Sequence, residues 1–247
     1  MRFQERTAIV TGAASGMGLL ASQRLAAEGA KVLLTDVDEK AVTDAAEAIR
    51  RDGGEACPRP VDVRDYEAVR AAVSFAVDHY GTVDILLNSA GGSARRIFGC
   101  TDPFHEMDIE IVDWGLDVNL KGAVYFSHAA LKPMIGHERG VIVNLGSVTG
   151  MTGSATAVDY CTAKSGIVGL TKSLALAGAP HGVRAVCVTP GPVLTRPEMA
   201  RMKTALGRAA EPEEVVDLIL YMCADSAAFI TGSNHLIDGG YCCGGTH

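Results

Sequence analysis

Residues 7–18 read TAIVTGAASGMG. Thr7 to Val10 is a short apolar strand, and Thr11 to Gly18 is a turn carrying Gly12, Gly16 and Gly18. Leu19 to Glu28 then has the amphipathic pattern of a helix, closed by Gly29. A strand, a glycine turn and a helix in that order form the first unit of an α/β sheet. The same unit is a phosphate cradle. Glycines let the backbone approach a pyrophosphate, and the helix start offers free N–H groups and the positive end of its dipole. The spacing is G-x-x-x-G-x-G rather than the commoner G-x-G-x-x-G. A turn of this kind also arises for purely conformational reasons, but its place at the first strand–helix junction favours a dinucleotide. The candidate contacts are Gly12, Ser15, Gly16, Met17 and Gly18.

Working outward, Lys31 to Asp36 is a second strand, and Asp36 ends it eighteen residues past Gly18. A carboxylate there accepts hydrogen bonds from the adenosine ribose hydroxyls and repels a 2′-phosphate. Neither Ser15 nor Val37 is basic, so the reading is NAD(H) in preference to NADP(H). Glu55 to Val61 is a weaker, proline-interrupted strand suited to a sheet edge, with Asp62 and Val63 placed where an adenine lies. Asp38 and Asp65 read as N-caps of helices from Glu39 to Arg50 and from Tyr66 to His79. Val83 to Leu87 is a fourth strand. It ends in Asn88-Ser89-Ala90-Gly91-Gly92, small residues that leave room for a ligand. Further strands are expected at Val141–Gly146, Val183–Val188 and His235–Ile237. Helices are expected from His105 through Trp114 and on to about Ile135, from Tyr160 to Ala177, and from Pro212 to Cys223. The fold is therefore a Rossmann-type, doubly wound parallel sheet of about seven strands with helices on both faces. Residues 1–247 form a single domain, with 191–211 a short substrate loop within it.

Composition narrows the function. The chain has 247 residues, 48% apolar and 21% charged, with a formal charge of −7. That is a globular core, and it argues against nucleic acid as a partner, because phosphate affinity comes from Lys/Arg patches. Arg95 and Arg96, in an expected loop from Ser93 to Pro103, read as solvated surface residues rather than contacts for an anionic substrate. The seven scattered cysteines and seven histidines make neither a disulfide framework nor a metal site, and no metal is expected. No apolar run approaches the ~20 residues of a membrane helix. The first strand follows the N-terminus at once, leaving no room for a signal peptide, so a cytoplasmic, reducing setting is expected.

The chemistry is concentrated between Ser147 and Lys164, SVTGMTGSATAVDYCTAK. A serine ends the fifth strand, and Tyr160 and Lys164 lie four apart, on one face of a helix. A phenol beside an ammonium is suited to proton transfer near neutral pH. Asn119, mid-helix on a largely apolar face, either braces the backbone or holds a water.

Thr11-Gly12-x-x-x-Gly16-x-Gly18, Asn88-Ser89-Ala90-Gly91, Asn119, Ser147, Tyr160-x-x-x-Lys164 and Pro190-Gly191 stand in this order along nearly the whole chain. In this the sequence resembles the short-chain dehydrogenase/reductase family. It departs in Ser89, where the family has asparagine, and in a short loop after Thr195. The resemblance implies hydride transfer between NAD(H) and a secondary alcohol or ketone. Tyr160 would be the general acid/base, Ser147 would orient the substrate oxygen, and Lys164 would lower the Tyr160 pKa and bind the nicotinamide ribose. Asn119 would hold a water. Asn88, Ala90, Gly91, Pro190, Gly191, Val193 and Thr195 would complete the cofactor site, and a homotetramer is implied. An epimerase or dehydratase retaining NAD, and a non-catalytic dinucleotide sensor or scaffold, are the competing readings. The pocket wall reads as small and apolar, suiting a modest hydrophobic alcohol or ketone.

Overall fold

The computed structural model describes residues 1–202 and 204–243. Seven parallel strands form one sheet: β1 (Thr7–Thr11), β2 (Lys31–Asp36), β3 (Glu55–Pro60), β4 (Ile85–Asn88), β5 (Gly140–Leu145), β6 (Val183–Pro190) and β7 (Asn234–Ile237). Their order is β3-β2-β1-β4-β5-β6-β7. The proline-rich β3 is the edge strand, where its missing N–H groups cost no ladder bonds. The order reverses between β1 and β4, opening a crevice at their carboxyl ends.

The strands are buried on both faces, as parallel strands flanked by helices must be. Successive residues alternate between two cores. Ala8, Val10, Val32 and Leu34 face α1 (Gly16–Ala27) and α2 (Glu39–Arg51). Ile9, Leu33 and Leu86 face α3 (Tyr66–Tyr80). Each large side chain so enclosed contributes roughly 1.5–3 kcal/mol. The helix caps fall where the sequence placed them. Asp38 accepts from Ala41 N at 2.9 Å, and Asp65 accepts from Glu67 N at 2.9 Å and Ala68 N at 3.2 Å.

The segment expected as a loop from Ser93 contains a short helix, α4 (Ala94–Phe98), ended by Gly99 in the left-handed region. The two helices expected after it run together: α5 (Ile109–Leu116), one π-helical turn (Asp117–Lys121) and α6 (Gly122–Gly136). After β5 come a single turn, α7 (Thr149–Thr152), and the long α8 (Val158–Gly178). The 191–211 segment is pinned at its base. Val193 and Ala210 form an isolated parallel bridge, with Leu194 N on Ala210 O at 2.9 Å and Ala210 N on Pro192 O at 2.9 Å. The helix α9 (Pro212–Cys223) follows, with the bounds read from sequence.

Candidate active site

Every sequence-predicted site residue except Asn119 stands at the carboxyl end of a strand or in the turn or element that follows it. Gly12 has φ +65°, and a Cβ there would lie 2.7 Å from Ala90 Cα. A Cβ on Gly18 would overlap the Gly12 carbonyl. The β1 turn and the β4 end therefore touch through backbone alone. Thr11 secures that contact: its Oγ1 accepts from Ser89 N and Ala90 N, both at 3.0 Å. Ser89 donates its hydroxyl to the Thr11 carbonyl. The serine that departs from the family pattern thus ties β4 to β1. Ser15, the N-cap of α1, makes no capping bond with its side chain, and Ser15 and Gly16 are exposed at the start of that helix. Met17 is half-buried against the core.

Asp36 stands at the carboxyl end of β2 with its carboxylate held by backbone. Oδ2 accepts from Ala14 N at 3.0 Å and Oδ1 from Asp38 N at 3.1 Å. It is therefore fixed against the glycine turn, while Val37 beside it is 73% exposed. Asp62 and Val63, read as lying at the adenine, follow the carboxyl end of β3. Asp62 is clamped by Arg64 through Nη2 at 2.6 Å and Nε at 3.0 Å, which holds its carboxyl below the usual range. Val63 is buried against Gly122.

Asn88 likewise turns inward. Its Nδ2 donates to Asn144 Oδ1 at 2.8 Å and Ser127 Oγ at 3.1 Å, and Asn144 Nδ2 donates to Thr171 Oγ1 at 2.9 Å. This buried polar row spans β4, β5, α6 and α8. Sequence reading missed it, although an asparagine in the apolar run Val141-Ile142-Val143-Asn144 signals one.

The π-helical turn explains Asn119. Its Nδ2 donates to Gly115 O and Gly92 O, both at 2.9 Å, and its Oδ1 accepts from Gly92 N at 2.9 Å. Of the two sequence readings, bracing is the one this geometry supports. Both amide hydrogens and one acceptor of the side chain are spent on the α5 backbone and on the loop after β4. A methyl at Gly91 would meet Asn119 Oδ1 at 2.5 Å and Lys164 Nζ at 3.5 Å. The brace therefore sits against the lysine.

Ser147, half-buried, follows β5. Its Oγ pairs with Thr149 Oγ1 at 2.9 Å. Tyr160 lies in the first turn of α8 with Lys164 one turn on. The ammonium is 5.6 Å from the phenol ring centroid and only 6% exposed. It donates to the Leu145 carbonyl at 2.8 Å. Burial pushes Lys164 down to about 8. Burial also holds the Tyr160 phenol above its ordinary value, against smaller downward pulls from Ser147, Arg196 and Arg96. Pro190 and Gly191 close the far side, where a Cβ on Gly191 would lie 2.8 Å from Asp238 Cα. Val193 is buried and Thr195 exposed at the start of the pinned loop.

A serine, a tyrosine and a lysine thus converge beside a glycine cradle at the switch point of a parallel sheet. A protein-family profile described as enoyl-(acyl carrier protein) reductase matches residues 12–242. The sequence is 36% identical to cis-4-hydroxycyclohexanecarboxylate dehydrogenase from Sinomonas cyclohexanicum, over 97% of each chain. It is 38% identical to meso-2,3-butanediol dehydrogenase from Serratia marcescens, over 97% of this chain and 96% of that one. It is 33% identical to cyclohexanol dehydrogenase from an Acinetobacter species, over the same shares.

The chain belongs to the short-chain dehydrogenase/reductase family. As a short-chain dehydrogenase/reductase it is an oxidoreductase acting on secondary alcohols or the matching ketones with a nicotinamide dinucleotide. The competing sensor and epimerase readings are not favoured. Among the described residues no cluster of His, Cys, Asp or Glu is arranged to hold a metal ion, and no helix is long and apolar enough to cross a membrane.

Proposed function

We propose that this enzyme transfers hydride between NAD(H) and a secondary alcohol or ketone, with Tyr160 as proton carrier. The bound cofactor supplies the hydride acceptor or donor. Gly12, Ser15, Gly16, Met17 and Gly18 hold the pyrophosphate, with Asp36 and Val37 at the adenosine ribose. The backbones of Asp62 and Val63 lie at the adenine, and those of Asn88, Ala90 and Gly91 along the dinucleotide. Pro190, Gly191, Val193 and Thr195 bound the nicotinamide. Asp36 favours NAD(H), because a fixed carboxylate and an exposed valine offer a 2′-phosphate repulsion and no cation. The exposed Ser15 and Gly16 N–H groups at the start of α1 fit a diphosphate.

On oxidation, Tyr160 takes the proton of the substrate hydroxyl, and on reduction it returns it. Ser147 directs the same oxygen, Lys164 binds the nicotinamide ribose, and Asn119 holds the Gly92 loop around them. Burial keeps the phenol protonated in the protein alone. A positive nicotinamide beside it favours tyrosinate in the oxidised complex. The alcohols named for the relatives are small and mostly ring-borne, which suits a pocket floor of Val148, Val193 and glycines. The seven free thiols suit a cytoplasmic setting. Exposed Val124 on α6 and Leu176 on α8 suit burial between subunits of a homotetramer.

The observation that carries this reading is the placement of Ser147, Tyr160 and Lys164 after β5, on one side of the crevice at the carboxyl ends of β1 and β4. Its test is Tyr160→Phe. Turnover with NAD and cyclohexanol is expected to fall by about 100-fold or more, with NADH binding retained in fluorescence titration. Near-normal turnover removes Tyr160 from the mechanism.

A further inference from the structure

Beside the catalytic residues lies a cavity of about 400 Å³ that the proton and hydride chemistry does not use. One wall is α4 and its flanks: Ser93, Arg95, Arg96 and Thr101. The opposite wall is Thr156 and Ala157, which lead into α8 one helical turn before Tyr160. The lining offers two guanidiniums and three hydroxyls, and no carboxylate.

Neither arginine is committed elsewhere by charge. Among the described residues Arg95 and Arg96 form no ion pair, although acidic residues outnumber basic ones 29 to 22 in the whole chain. Arg95 is oriented by donating Nη1 to the Asp102 carbonyl. Arg96 lies over the loop that Asn119 braces, where a methyl at Gly92 would meet its Nη2 at 3.4 Å. Gly91, the preceding residue, approaches Lys164. The guanidinium thus stands next to the catalytic floor. Arg196, on the pinned loop, is a third cation without an ion pair among the described residues, its Nη2 against Met199 Sδ at 3.5 Å. Of the nearby carboxylates, Asp159 is 2% exposed beneath α5, over Gly115, and Asp102 lies outside the lining, its Oδ2 3.8 Å from the thiol of the lining residue Cys100.

We propose that Arg95 and Arg96 grip a carboxylate on the substrate, several carbons from the carbinol carbon that faces Tyr160. This makes the preferred substrate a hydroxy acid or keto acid rather than a neutral alcohol. A guanidinium pairs with a carboxylate through two parallel N–H bonds, and a second cation and hydroxyls beside it fix the direction of approach. Arg96 is exposed and Arg95 half-buried, so the charge on the substrate meets the arginines without deep burial. This inference rests on the placement of Tyr160 as proton carrier.

The test compares 5-oxohexanoate and 6-oxoheptanoate with their methyl esters as substrates for NADH-dependent reduction. At least one acid is expected to exceed its ester in kcat/KM by about 10-fold or more. In the Arg95→Met/Arg96→Met double variant that ratio is expected to collapse toward one, with NADH binding reporting that the variant is folded. A second measurement needs no variant. Benzoate is expected to compete with the ketone ester about 10-fold more tightly than benzamide, and to weaken in about 0.5 M salt. Esters turned over as well as or better than the acids, an unchanged ratio in the double variant, or benzamide equal to benzoate each overturn the anion grip while leaving the ketone reductase reading intact. No turnover of acid or ester overturns both.

Discussion

Lys164 Nζ donates to the carbonyl oxygen of Leu145 at 2.8 Å, so the last residue of β5 anchors the catalytic lysine of α8. This bond, rather than a contact with the phenol oxygen, fixes the ammonium beneath the Tyr160 ring. It is a buried charge with one backbone partner, and burial lowers the lysine from 10.5 to about 8.

That lowering has a pH signature. Between about pH 8 and 10.5 the unfolded lysine holds a proton that the folded one has released, so stability rises with pH through that window. Below pH 8 the full cost of burying the ammonium is present. Lys164→Met removes that cost and loses the bond to Leu145. It is expected to be more stable than the wild type by roughly 1–3 kcal/mol at pH 7, and to lack the gain in stability toward pH 10. Its turnover is expected to be lost. Urea unfolding at several pH values beside NADH-linked assays checks both. A variant less stable than wild type at pH 7 shows that the Leu145 bond outweighs the desolvation.

The proposed preference for NAD(H) rests on Asp36 and Val37. Asp36→Ser/Val37→Arg exchanges a fixed carboxylate for a neutral side chain and places a cation where the valine is exposed. The ratio of kcat/KM for NADP to that for NAD is expected to rise by about 100-fold or more, from Coulomb terms of a few kcal/mol at partly exposed sites. Tm is expected to fall slightly, because the Ala14 N–H loses its carboxylate partner. Steady-state kinetics with both cofactors reads the outcome, and an unmoved ratio places the determinant elsewhere.

Asn119 is expected to behave as a brace. Asn119→Ala removes three hydrogen bonds and leaves Gly92 N, Gly92 O and Gly115 O without their side-chain partner. The expected loss is about 2–4 kcal/mol of stability, with turnover reduced alongside. Asn119→Asp keeps one acceptor and loses both donors, so it does not rescue. A variant of full stability with low kcat separates a water-holding role from a bracing one.

At the opposite end of the sheet, Asp84 is a control. It is buried, accepts from Thr7 N at 2.9 Å, and lies 3.5 Å from Arg6. Asp84→Ala is expected to cost on the order of 2–4 kcal/mol in denaturant unfolding. Turnover per folded molecule is expected to stay near that of the wild type, because no site residue lies at the amino ends of the strands.

Much of this was legible locally. The periods of the apolar residues, the capping aspartates, the prolines of β3 and the glycines of the first turn each act within a few residues. The strand at Lys31–Asp36 and the helix at Pro212–Cys223 appear with the bounds read from sequence. The pairing of Tyr160 with Lys164 is likewise a matter of helical spacing.

What resisted reading depends on which distant groups share a space. Asn88 turned out to belong to a buried polar row with Ser127, Asn144 and Thr171, residues that meet only in the fold. Asn119 had two readings until the β4 loop came within 2.9 Å of it. Arg95 and Arg96 read as solvated residues of a loop. Arg96 is indeed exposed, but both stand on a short helix lining a cavity whose other wall lies some sixty residues further along the chain.

The sequence by itself determined the parallel sheet, the glycine turn at its first strand and the helical spacing of Tyr160 and Lys164, because helical and strand periods and glycine sterics are short-range. Tertiary structure alone decided where polar capacity is spent and which charges stay unpaired. Hydrogen bonding and desolvation are settled by neighbours in space, and these residues find theirs on other strands and helices.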